Sequence, residues 1–86
     1  MKTIPLKQDG PTMVVGTNPV LISDSVTGKQ IHYTGKTTRP HMVMCGRKSG
    51  VVIRTGTAQE IAAEKAVQDA KYAPIKAQLE AAKTGK

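Results

Sequence analysis

Phenylalanine and tryptophan are absent from this chain of 86 residues, and tyrosine occurs only as Tyr33 and Tyr72. Aromatic rings are the largest apolar units a core can use, so burial here falls to Ile, Leu, Val and Met. Burying one such side chain contributes about 1.5–3 kcal/mol, while ordering each residue costs roughly as much in conformational entropy. A chain this short therefore starts near balance and is expected to lean on a disulfide, a metal or a partner. An internal disulfide is excluded, because Cys45 is the only cysteine. A structural zinc site is disfavoured, because His32, His41 and Cys45 lack the paired ligand spacing such sites use. No metal or other cofactor is expected. Association with another protein, or with further copies of the chain, is the remaining support.

Long apolar runs are missing too. The longest uncharged stretch, 10–23, is interrupted by Pro11, Gly16, Thr17, Asn18 and Pro19, which excludes a membrane span of about 20 apolar residues. Pro5 and Lys7 interrupt the first residues, so no secretion signal is read there. The expectation is a soluble protein of a reducing compartment, cytoplasmic or carried in a virion, with no membrane association.

The third absence is of negative charge. Net charge is +7, and no carboxylate lies between Asp24 and Glu60. Residues 1–24 balance, the segment from 57 carries one excess positive charge, and the remainder comes from Lys29, Lys36, Arg39, Arg47, Lys48 and Arg54. A region of one sign attracts polyanions in a salt-dependent way, so these six are the candidate polyanion- or partner-binding residues. The competing reading is that they solubilise hairpin turns.

What is present reads as strands followed by helix, an α+β organisation in one domain spanning 1–86. Residues 1–18 form an extended arm in which Thr3–Leu6 and Thr12–Val15 are short enough to be edge strands. Residues 19–54 read as two hairpins. In the first, Val20–Ser23 and Lys29–Tyr33 flank a turn over 24–28. In the second, Met42–Cys45 and Val51–Arg54 flank a cationic, glycine-bounded turn. Between them, 34–41 is an exposed loop. Thr57 and Glu60 make a capping box that starts a helix at Ala58. Pro74 is expected to kink or break that helix, a second segment restarts there, and Lys83, Thr84 and Gly85 signal its stop within a helical region of 57–83. Ala62, Ala66, Ala70, Ala73, Ala77 and Ala81 recur every three or four residues. This candidate helix interface would allow close approach to a sheet or another subunit, although alanine's helix propensity alone accounts for it.

Catalytic patterns fail when tested. Gly35, Lys36 and Thr37 copy the end of a phosphate loop, but the first glycine of that motif would fall on Gln30. Cys45 and His41 lie four apart, with His32 across a strand, which is no specific nucleophile–base pattern. Four of the six carboxylates lie in the helical region beside lysines. No catalytic residues are assigned. The reading is a non-enzymatic structural or interaction protein that oligomerises or docks on a larger protein assembly. In composition (poor in aromatics, rich in Thr, Gly, Val, Ala and Lys) the chain resembles small phage virion proteins, which implies a capsid-associated accessory role. The alternative is a basic nucleic-acid-binding module that contacts phosphates through residues 25–59, without an aromatic stacking platform beyond Tyr33.

Overall fold

The computed structural model describes residues 1–84. It contains six strands and one helix: β1 (Lys2–Ile4), β2 (Thr12–Gly16), β3 (Val20–Asp24), β4 (Gln30–Thr34), β5 (His41–Cys45), β6 (Val51–Thr55) and α1 (Ala58–Thr84). The α+β expectation holds. The strands form an antiparallel four-stranded sheet in the order β1-β6-β3-β4 and a separate antiparallel ribbon, β2-β5.

The first expected hairpin is present as β3-β4. Asp24 organises its turn: the carboxylate accepts from the Thr27 and Val26 backbone N–H groups at 2.9 and 2.8 Å, which holds its pKa below the ordinary value. Gly28 completes the turn with φ +80°, a conformation that costs other residues about 1–2 kcal/mol.

The second expected hairpin does not form. β5 and β6 are joined by a short turn, but β5 pairs with β2 in the ribbon and β6 inserts between β1 and β3. The reason is burial. β6 presents Val51 and Ile53 to one face while β1 and β3 supply the matching rows, so its place is the middle of the larger sheet. The arm likewise divides, β1 becoming an edge of the four-stranded sheet and β2 half of the ribbon.

Two interfaces follow from the strand alternation. Val20, Ile22, Val51 and Ile53 point from the larger sheet toward Val43 and Cys45 of the ribbon, with Ile4, Leu6 and Val14 packed around them. Leu21 and Ser23 point to the opposite face, where α1 packs on β3 and β4. The helix buries Ile61 and Gln68 there, and Glu64, Lys65, Tyr72 and Ile75 are half-buried along the same stripe.

Residues 58–84 form one helix that runs through Pro74 instead of breaking there. Proline removes one i→i−4 bond, and both Pro74 and Ala70, the residue whose carbonyl is freed, are exposed, so water can take up the unmet acceptor. Thr84 closes the helix as described, whereas Gly85 of the expected stop lies outside the described residues.

At its start the capping box forms in both directions. Glu60 N–H donates to Thr57 Oγ1 at 3.2 Å, and Thr57 N–H donates to Glu60 Oε1 at 3.0 Å. The Met1 ammonium adds a 2.6 Å bond to Glu60 Oε2. That ammonium contact first, and the Thr57 N–H second, hold the Glu60 carboxyl down to about 2 from an ordinary value of 4.5. A depressed carboxylate contributes stability that is complete above its unfolded value and is lost as pH falls through the folded one. Wild-type protein should therefore lose stability more steeply than Glu60→Gln between about pH 4.5 and 2, while Glu60→Gln is the less stable near neutrality. Denaturant titrations across that range check this, and equal acid slopes would rule it out.

Candidate interaction surface

The ribbon carries apolar side chains on both faces. Its inner face, Thr12, Val14, Val43 and Cys45, closes the core. Its outer face is made of two cross-strand pairs, Met13 with Met44 and Val15 with Met42. These four are 50%, 57%, 67% and 56% exposed, in that order. Strand alternation forces this, because five-residue strands reading TMVVG and HMVMC cannot place apolar groups on one side only. A strand apolar on both faces ordinarily has both covered. In contrast, the ribbon covers β3 and β6 of the larger sheet on one face and α1 packs on β3 and β4 on the other, although Ile31, His32 and Tyr33 of β4 stay exposed.

Neither β2 nor β5 carries a Lys, Arg, Asp or Glu, and His41 is the one histidine on the two strands. The His41 ring lies at one end of the ribbon, 3.2 Å from Thr34 Oγ1 through Nε2 and 3.0 Å from Thr37 Oγ1 through Nδ1, so both nitrogens are engaged.

The six cations singled out in the sequence are not brought into one patch. Lys36 and Arg39 lie on the β4-β5 loop, which is tied to the segment after β2 by a 3.0 Å bond from Thr37 N–H to Thr17 O. Arg47 and Lys48 lie at the other end of the ribbon, on the β5-β6 turn. There the Lys48 ammonium donates to Gly10 O and Lys48 O accepts from Gln8 Nε2 at 3.1 Å. Ser25 N–H donates to Gly50 O at 3.0 Å, joining this turn to the β3-β4 turn, and Arg47 helps to lower the Asp24 pKa. Lys29 lies beside the helix, lining open hollows of about 490 and 400 Å³ with Tyr72 and Lys76. Arg54 faces α1 and is ion-paired with Glu64, which also accepts from Gln68 Nε2 at 2.5 Å. Among the described residues the two ribbon strands thus carry no Lys or Arg of their own but have cations at both ends, with Lys2 of β1 sharing a cleft with Met13 and Val15, while Arg54 is taken up within the fold.

The alanine row is not buried against the sheet. Ala62, Ala66, Ala70, Ala73, Ala77 and Ala81 are all exposed. The helix instead buries Ile61, whose larger side chain removes more apolar area from water, and Gln68, whose amide is satisfied by Glu64, with Ile75 half-buried.

Cys45 is buried at the end of β5 opposite His41, and His32 is on β4, which does not pair with β5, so the three do not converge. Among the described residues no group of three His, Cys, Asp or Glu could hold a metal ion. A cleft of about 270 Å³ between β1 and β2 is lined by Lys2, Ile4, Met13, Val14, Val15 and Thr55 among others, and Lys2 is the one charged group among the described residues that line it. Among the described residues no helix is long and apolar enough to cross a membrane.

Met13, Val15, Met42 and Met44 are not among the candidate residues that composition and motif point to. The available signal was the unbroken apolar run in both strands, concealed by pairing β5 with β6. Comparison with known proteins adds no relative: no family, curated protein or solved structure matches the chain.

Proposed function

We propose that this protein is a non-enzymatic structural protein that acts by association, docking on a larger protein assembly or oligomerising, as a small capsid-associated accessory protein of a phage virion would. The observation that carries the reading is the outer ribbon face, where Met13, Val15, Met42 and Met44 form a continuous apolar surface without a charge among them. Exposed apolar surface that is contiguous, not scattered, marks interaction sites on small proteins. Methionine suits such a surface, being flexible and polarisable enough to fit a partner's contours.

The nucleic-acid alternative rests on the basic segment. Division of its cations between the two ribbon ends, Lys29 and the internal Arg54 pair weighs against a single phosphate track.

Light scattering coupled to size exclusion, at about 50 and 500 mM salt with and without a short DNA duplex, separates the two readings. The expected result is a mass that DNA leaves unchanged at both salts. Any mass above the 9.1 kDa monomer should return to it in a Met13→Lys, Met44→Lys double variant. A monomer that moves onto DNA at low salt, and leaves it at high salt, would overturn the association reading.

A further inference from the structure

The outer ribbon face and the cations at its ends together define what it can receive. We infer that this face, Met13, Val15, Met42 and Met44, docks a protein surface with an apolar centre flanked at both ends by carboxylates. The inference rests on the association reading and deepens it by naming the partner's chemistry.

Three observations carry it. The face is uncharged across its two strands, so its centre must meet apolar groups, since a charge buried against methionine and valine would lose its hydration without compensation. Both ends are cationic: Lys36 and Arg39 are exposed on the loop at the Gly16–His41 end, and Arg47 and Lys48 are exposed on the turn at the Thr12–Cys45 end. In the segments that enter and leave the ribbon, 6–19 and 35–50, there are five cations (Lys7, Lys36, Arg39, Arg47, Lys48) against Asp9, and Asp24 of the adjoining turn lies near Arg47, so both ends keep an excess of positive charge, the larger at the Lys36–Arg39 end. Opposite charge at the rim of an apolar contact steers encounter and fixes register, and like charge rejects a partner.

The same charges disfavour the other occupants. Two ribbons laid face to face would, in either direction, set a cationic end on a cationic end, so a second copy is the poorer fit. A bilayer surface is favoured by Trp, Phe and Leu at the insertion face, and these four residues include none. A nucleic acid would leave the apolar centre of the face against sugar and phosphate.

The test uses the full chain and two labelled amphipathic peptides that share one leucine face, one with glutamates at both ends and the other with lysines. Fluorescence anisotropy should show the glutamate peptide binding about tenfold or more tightly than the lysine peptide, with binding weakened by salt. Met44→Lys should reduce that affinity about tenfold, and a Lys36→Glu, Arg39→Glu variant should remove most of the preference between the peptides. Thermal unfolding by circular dichroism confirms that each variant is folded, all three substituted positions being exposed.

Equal binding of the two peptides, or binding of neither, would overturn the inference. So would a Met44-dependent preference for phosphatidylglycerol-containing vesicles over the glutamate peptide. Self-association abolished by Met44→Lys would also overturn it while sustaining the association reading. DNA binding that survives Met44→Lys would sink both.

Discussion

Ile53→Ala is expected to lower stability by about 2–5 kcal/mol, enough to leave much of a domain this small unfolded near physiological temperature. Ile53 is 1% exposed in the centre of the larger sheet, paired with Ile4 on one side and Ile22 on the other. Its side chain faces the ribbon within the cluster that contains Val43 and Cys45. Alanine removes transfer free energy and leaves a cavity between two sheets, neither of which can close it without disturbing its hydrogen-bond register. No Phe or Trp elsewhere in the chain compensates. Urea unfolding followed by circular dichroism measures the loss. Val67→Ala is the matched comparison: at 59% exposure on the helix it should change stability by no more than about 0.5 kcal/mol. Similar midpoints for the two variants would contradict the assignment of the core.

Gly28→Ala should lower stability by about 1–3 kcal/mol through backbone strain and contact with the helix. A Cβ built at Gly28 would lie 2.9 Å from Gln68 Oε1, 3.0 Å from Lys71 Cδ and 3.2 Å from Gln68 O. The two side-chain ends can swing aside. The Gln68 carbonyl belongs to the helix backbone and can withdraw only if α1 lifts from the hairpin. The φ of +80° adds a cost that repacking does not relieve. Gly35→Ala serves as the control, since nothing lies within 4 Å of a Cβ there, and its effect should stay within about 0.5 kcal/mol. Equal melting temperatures for the two variants would show that the β3-β4 turn does not set the seating of the helix.

The elements that could be read in advance were those whose signal is local. The Thr57–Glu60 capping box places the helix start because both bonds lie within one turn. Asp24 and Gly28 mark the β3-β4 turn because an Asx bond and a positive φ are properties of a few consecutive residues. Pairing of β5 was not local. A short glycine-bounded turn between Met42–Cys45 and Val51–Arg54 satisfies the requirements of a hairpin, but the choice between β2 and β6 as partner depends on which arrangement closes the core.

Pro74 shows the same division. Its effect on one hydrogen bond is intrinsic, whereas continuation of the helix depends on the freed carbonyl at Ala70 facing solvent. The alanine row is legible as a periodicity, but periodicity alone does not say which stripe of a helix faces the sheet. Ile61 and Gln68 decide that, through what lies beneath them.

The sequence by itself determined a small α+β chain with a thin aliphatic core, a capped C-terminal helix and positive charge concentrated between Asp24 and Glu60. Composition, capping and turn chemistry act over a few residues and do not depend on the rest of the chain. Only the tertiary structure decided that β5 leaves β6 for β2, that Arg54 is paired internally, and that Met13, Val15, Met42 and Met44 meet on one outer face between cationic ends. Those outcomes come from closing a sandwich, in which each strand takes the partner that buries its neighbours' apolar rows, and residues tens of positions apart become adjacent.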